Sequence, residues 1–356
     1  MIFPGRAMVS QASRAANFPA TCGTADEPLP GRSDSLHRAP EAMGNSRSQY
    51  ELGVAVVALR ERESSARASL AGRDRCAAVV DAACVCLGAA AMDRRAVLAA
   101  FDEQIRRHPM TDGPDGHVEY DRSVIRCIGG PDRWNGVTWS ALDDADADAV
   151  IAAQAIRFAE LGCAWEWKHY SYDRPSELPD RLLAAGFTRE PAEALLVAEI
   201  ADLSLDVAPP AGVKLRAVVD EAGIDALVAV HDEVFGEDHA ALGIALLDAL
   251  KRRPGSVAAV VAMAGKTPVA AARVEFHAGT EFASLWGGGT LGAWRGRGVF
   301  RSLVAYRAAL ASARGFRYLQ VDALPDSRPI LKRLGFVELA ITTPFVHAGA
   351  ATRHVR

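Results

Sequence analysis

Between residues 290 and 316 the chain reads TLGAWRGRGVFRSLVAYRAALASARGF, and Arg295-Gly296-Arg297-Gly298 sets two cations and two glycines directly ahead of an apolar helical pattern. Phe300, Leu303, Val304, Ala308 and Ala311 recur at helical spacing, and a β-like run lies upstream, so the spacing predicts a strand-to-helix turn over Arg295–Phe300. A helix start presents N–H groups without acceptors at the positive end of its dipole. Gly296 and Gly298 would let a ligand approach that backbone closely, while Arg295, Arg297 and Arg301 would add charge-assisted donors. The chemistry this set suits is the gripping of a diphosphate.

Proton transfer needs other side chains. Glu275 and His277 alternate on one face of the expected strand within SVAAVVAMAGKTPVAAARVEFHAG (256–279), and Asp322 lies on a strand after the long helix. Glu275 and Asp322 are the leading candidates for a general base, because carboxylates beside a central cleft can be tuned toward that role. A solvated or structurally paired polar group is the alternative for each. Trp286 and Gly287–Gly289 are expected to shape an acceptor cleft, with core packing the alternative for Trp286 and a bulge for the glycines.

The elements that must position these residues follow from periodicity. Helices are expected over 223–236 and 239–253, a hairpin turning at 264–267, a strand over 281–291, the turn and long helix, a strand over 316–324, a short helix over 327–335 and a last strand over 336–347. Upstream, DRRAVLAAFDEQIRR reads as a helix, VEYDRSVIRCIG (118–129) and NGVTWSAL (135–142) as β-rich runs, and DADAVIAAQAIRFAELG (146–162) as a helix. A strand (CAWEWKHYSY), a helix ending at Gly186 and a strand (EALLVAEI) complete this half. Alternation in WEWKHYSY favours core packing for Trp165, Trp167 and Tyr170 over a pocket role shared with Lys168 and His169.

The segments 157–187 and 311–336 share an order: helix end, Gly, strand, an Asp-containing turn with Pro, short helix, Gly-Phe. This internal repeat predicts two copies of one fold. The first copy has no glycine–arginine turn, only WNGVTWSALDDADADAV. The chain is expected to divide into an extension (1–91), a first domain (92–202), a linker (203–212) around the Pro-Pro-Ala-Gly stretch, and a second domain (213–350). Residues 1 to about 48 are poor in aliphatics and expected to be disordered, and 1–91 to be dispensable.

With 356 residues, 50% apolar, there is material for two cores. A formal net charge of -4 without a clustered basic face argues against nucleic acid as the partner. Six cysteines without paired spacing read as reduced thiols of a cytoplasmic protein and not as a metal site. No stretch is expected to cross a membrane, and the N-terminus lacks the apolar core of a signal peptide.

The segment Arg295-Gly296-Arg297-Gly298-Val299-Phe300 resembles the pyrophosphate loop of the GNAT superfamily of acyl-CoA-dependent N-acetyltransferases, written Arg/Gln-x-x-Gly-x-Gly/Ala. Phe300 departs at the last position. The resemblance covers about 213–346, including LKRLGF before the last strand, and 92–200 resembles a degenerate copy. It implies an α/β fold with a mixed sheet in two tandem copies and acetyl-CoA as co-substrate. It also implies a small-molecule or peptide amine as acceptor, attacking the thioester directly. Thr290 and Leu291 would hold the pantetheine or the oxyanion through backbone amides, and Ser327 is counted with the cofactor-binding set. The family commonly uses a tyrosine in the late short helix as acid, but Leu331 stands there. An acyl-CoA-binding sensor without turnover is therefore the second functional expectation, and the oligomeric state is left open.

Overall fold

The computed structural model describes residues 92–111, 115–130 and 133–348. The expected extension over 1–91 and the last residues of the second segment lie outside them. In the first half, Asp93 starts helix α1 (Arg94–Phe101) by accepting from the N–H groups of Arg95 and Ala96 at 3.0 and 3.1 Å. The helix runs on as a π turn over Asp102–Arg106, which ends on the buried Arg106. Then come the hairpin strands β1 (His117–Asp121) and β2 (Val124–Ile128), β3 (Asn135–Ser140), α2 (Ala147–Glu160), β4 (Trp165–Tyr170), α3 (Leu178–Ala184), β5 (Thr188–Arg189) and β6 (Glu193–Glu199).

The second half follows with β7 (Val213–Ala217), α4 (Glu221–Phe235), α5 (Ala240–Arg252), β8 (Val257–Ala264), β9 (Thr267–Phe276) and β10 (Phe282–Thr290). It ends with α6 (Val299–Ala313), β11 (Tyr318–Ala323), α7 (Arg328–Arg333) and β12 (Val337–His347). The run expected as β-rich over 118–129 is a hairpin turning at Arg122, whose φ of 31° is the one positive value at a non-glycine residue among the described residues.

All twelve strands join one mixed sheet in the order β1-β2-β3-β4-β12-β6-β11-β10-β9-β8-β7, with β5 paired to β12. Each half contains one parallel pair bridged by a helix. β3 meets β4 at Gly136↔Glu166 and Val137↔Trp167, and β10 meets β11 from Phe282↔Tyr318 to Ser284↔Gln320. Every other pairing is antiparallel, so the halves repeat one plan. Their last strands are exchanged, because β6 of the first half pairs with β11 of the second while β12 returns to pair with β4 and β6. The seam between the halves is thereby a sheet interior.

Helix α1 covers that seam. Phe101 packs edge-on against Phe282 with ring centroids 5.8 Å apart and lies 6.0 Å from Tyr170, while Phe282 stacks on Tyr318 at 5.0 Å. On the other face of β4, Trp165 stacks on Phe158 of α2 at 4.3 Å and Trp167 is fully buried with it in the first-half core. Burial of such rings contributes roughly 25 cal/mol per Å² of apolar surface, so these contacts help hold the first-half core and the seam.

Candidate functional site

Strand β10 pairs in parallel with β11 over only three residues, and beyond Ser284↔Gln320 the two separate. The register with β9 shifts between Trp286 and Gly289, placing a bulge in the middle of the triple glycine. Gly287 holds φ +55°, and a Cβ there would lie 2.7 Å from the His231 ring, while one on Gly288 would lie 3.0 Å from the Phe300 ring. Glycines are thus required for α4 and the start of α6 to close on the bulge. His231 Nε2 bonds the Gly287 carbonyl at 2.9 Å and fixes its direction. Burial, with Arg273 and His239 beside it, holds the His231 imidazole neutral, its pKa down to about 3. Nε2 is accordingly the donor.

Below the opening sits the expected turn. Gly296 and Gly298 adopt left-handed φ values of +72° and +88°, and a Cβ on either would meet no protein atom within 4 Å. Gly298 is the residue before α6, and no side chain caps that helix. Its first-turn N–H groups therefore face outward without a side-chain acceptor. The three arginines differ in role. Arg295 donates through Nε to the Thr290 carbonyl at 3.1 Å and ties the turn back to β10. Arg297 lies over the Trp294 ring at 5.0 Å, and Arg301 is exposed on the first turn of α6. The Leu291 N–H donates to Val269 at 2.9 Å and is spent within the sheet. Amide directions alternate along a strand, which turns the Thr290 N–H toward the opening instead.

Two cavities flank the separated strands. The smaller, of about 90 Å³, lies between β10 and β11 and is lined by Phe300, Ser327, Leu331, Gly287 and Gly288 among others. The larger, of about 250 Å³, opens on the face covered by α1 and α5. Arg273, Trp286 and Asp322 line both, so the cavities meet at these three side chains. Phe300, at the position where the motif carries a small residue, forms one wall of the smaller cavity and overlies Gly288.

The two carboxylates expected from the sequence are both at the larger cavity, in different states. Glu275 is partly exposed and paired with Arg273, Nε to Oε1, at 3.2 Å. Asp322 has a side chain only 2% exposed; one oxygen contacts the Lys168 ammonium and the other, Oδ1, is buried with no hydrogen-bond partner. Burial works to lower the Lys168 pKa, but Asp322 and the neighbouring acidic groups raise it on balance, so the ammonium stays charged. Glu193 on β6 is the opposite case. Burial first, and then the Asp322 charge, push its pKa up to about 9, leaving it protonated at neutral pH.

His277, Ser284 and Gln320 form a buried chain on the cavity floor. Gln320 Nε2 donates to the Ser284 hydroxyl, which is 2.5 Å from His277 Nε2. Burial lowers the His277 pKa and favours the neutral imidazole, whose tautomer sets which partner of the Nε2–hydroxyl hydrogen bond donates. Arg307, buried in the middle of α6, donates to the carbonyls of Leu303 and Arg273 at 3.0 and 3.1 Å. Burial brings its pKa down to about 9.

The sequence pattern locates the turn, the bulge and the carboxylates. It leaves Lys168 and Tyr170 in the packed stretch around the tryptophans, whereas both line the cavity from the first half. The signal is the alternation itself: Trp165 and Trp167 point into the core, so Glu166, Lys168 and Tyr170 share the other face. Arg106 leaves no trace beyond a helical pattern. It is bound to Asp173 at 2.9 Å and Asp102 at 3.0 Å, with its guanidinium 3.9 Å from the Tyr170 ring centre.

The mixed sheet carries one helix-bridged parallel pair in each half, with the triple-glycine bulge and the glycine turn in the second half, and its fold is similar to that of GCN5-related N-acetyltransferases. A GCN5-related N-acetyltransferase from Kribbella flavida is similar at a TM-score of 0.54 and 20% identity, over 75% of this chain and 100% of that one. A functionally unknown conserved protein from Staphylococcus epidermidis ATCC 12228 is similar at a TM-score of 0.52 and 14% identity, over 66% of this chain and 95% of that one. Each match covers more of the chain than either half contains, so the shared fold spans both. A tandem GNAT protein from the clavulanic acid biosynthesis pathway stands further off, at a TM-score of 0.45 and 14% identity over 64% of this chain and 79% of that one. No protein-family model and no curated protein matches the sequence. Among the described residues, no helix is long and apolar enough to cross a membrane.

Proposed function

We propose that this chain is an acyl-CoA-dependent N-acyltransferase that moves an acetyl group from acetyl-CoA to a primary amine, with the second half, 213–350, as the acyl-CoA-binding domain and 92–202 as a degenerate partner copy. The observation that carries the reading is the meeting of the two cavities at Asp322, one reaching it from the first turn of α6 and the other from the opposite face. Donor and acceptor approaching from opposite faces arrive at one carboxylate.

In this reading the diphosphate rests on the Gly296–Gly298 turn, with Arg297 and Arg301 as charged donors and the backbone of Val299 and Phe300 completing the cradle. Arg295 holds the turn in place. The Thr290 amide and Ser327 lie along the pantetheine path. Bulge amides near Gly288, kept in direction by the His231 bond to Gly287, face the developing oxyanion. Asp322 Oδ1 takes a proton from the amine, the nitrogen attacks the thioester carbonyl, and the tetrahedral intermediate expels the CoA thiolate, which is protonated from solvent. Glu275, held by Arg273, is the second carboxylate at the acceptor side. The acceptor is a small-molecule or peptide amine.

One observation favours the second reading, an acyl-CoA-binding sensor without turnover. Leu331, only 2% exposed, occupies the place of the acidic tyrosine, so no hydroxyl on α7 serves the leaving thiolate. Thiol release from acetyl-CoA against a panel of amines separates the readings: amine-dependent release supports transfer, while saturable CoA binding with no release by any amine supports the sensor.

A further inference from the structure

The larger cavity is walled by both halves: Phe101 and Ile105 of the first face Leu242, Ala245 and Leu246 of the second. Its floor carries two carboxylates among the described residues, Glu275 and Asp322, and each is already matched by a cation, Arg273 and Lys168 respectively. Arg253 at the rim adds a positive charge, with its guanidinium reaching across to the Thr111 carbonyl at 3.4 Å. One buried carboxylate oxygen, Asp322 Oδ1, lacks a partner. An unpartnered buried acceptor is costly unless a ligand donor completes it.

These facts restrict what can enter. A ligand with several ammonium groups would have to place the second of them among the Arg106, Arg253 and Arg273 guanidiniums and the apolar walls, with both carboxylates of the lining already paired. A ligand with one amine and an apolar body would set the amine on Asp322 Oδ1 and cover the walls. We infer that the acceptor is an apolar monoamine, one amine on an aromatic or branched aliphatic body small enough for a cavity of about 250 Å³, and that polyamines are excluded. The inference rests on the acyltransferase reading for its chemistry but not for its binding. Ala245 is the natural handle, because it lines the cavity from α5, is half-buried and has room for change without a core cavity being opened.

The test is calorimetric titration of the full chain, with and without acetyl-CoA, by phenethylamine, isoamylamine and spermidine, followed by thiol release with the same amines. The monoamines should bind at least about tenfold tighter than spermidine, about 1.4 kcal/mol. Ala245→Phe should fill the site and abolish monoamine binding while leaving acetyl-CoA binding intact. Ala245→Glu should narrow or reverse the preference by supplying an unmatched carboxylate. Melting curves identify any variant that fails to fold, and the wild-type order of affinities then decides alone. Spermidine binding as tightly as the monoamines, or no monoamine binding at all, overturns the inference. Monoamine binding without thiol release overturns the acyltransferase reading and leaves the inference standing.

Discussion

Lys168 on β4 of the first half is ion-paired with Asp322 on β11 of the second, across two intervening strands, β12 and β6. The first half therefore supplies the cation that neutralises the carboxylate at the junction of the two cavities. Removing one partner leaves a buried charge. Lys168→Met should destabilise the protein by about 3–5 kcal/mol, and Lys168→Met with Asp322→Asn should recover most of that loss. A double-mutant cycle by chemical denaturation measures the coupling, and additive effects would show that the pair contributes nothing to folding.

Asp322→Asn keeps the size of the side chain but cannot take a proton. It should lower kcat with acetyl-CoA by at least about a hundredfold and change acetyl-CoA affinity little, as removal of a general base does. Glu275→Gln, partly exposed and tied to Arg273, should cost much less. If Glu275→Gln is the more damaging change in thiol release, the base assignment moves to Glu275.

Glu193 sets a pH dependence of stability. Its folded pKa of about 9 lies above the unfolded value near 4.5, so between those limits the folded state binds more protons than the unfolded one. Stability therefore falls as pH rises through this window. Glu193→Gln, neutral in both states, should remove that slope and raise the melting temperature at pH 8 by about 3 °C for each kcal/mol regained. Parallel melting-versus-pH curves for the variant and wild type would contradict this role for Glu193.

The two halves should differ in CoA binding. In the first, the turn from β3 to α2 carries Asp143, Asp144 and Asp146 and no glycine, and Asp148 follows in the first turn of α2, a set that repels a diphosphate and denies it backbone approach. Titration of the full chain with CoA should give one site per chain. Two equivalent sites would contradict this.

Much of this architecture is legible in the amino-acid sequence. Elements of the second half are punctuated by glycines that the backbone needs, such as Gly265 at the β8–β9 turn with φ +60° and Gly298 ahead of α6. The glycine–arginine turn is legible because the anion binding proposed there would depend on local backbone and dipole. The strand exchange is not legible. Residues Glu193–Glu199 and Val337–His347 are apolar runs that would suit the interior of either half, and which neighbour they pair with is a tertiary choice. The same is true of Lys168, whose partner is 154 residues away in sequence. Arg307 hides inside a helical pattern, since periodicity assigns arginine to solvent although this one is 2% exposed.

Binding of the CoA diphosphate by a backbone cradle at the start of α6 is the claim on which the rest depends. It is tested most directly by titrating CoA into Gly298→Val and Arg297→Ala. Gly298 sits at φ +88°, where a β-branched residue is strained, and its Cα faces space that no protein atom fills within 4 Å. Valine there should distort the turn and crowd the phosphate while the core, built elsewhere, stays folded. Arg297→Ala removes one charge-assisted contact of roughly 1.5–3 kcal/mol and should weaken CoA about tenfold to a hundredfold. A backbone cradle predicts that Gly298→Val binds CoA more weakly than Arg297→Ala, with melting curves confirming that both are folded. A folded Gly298→Val that binds CoA like the wild type would contradict it.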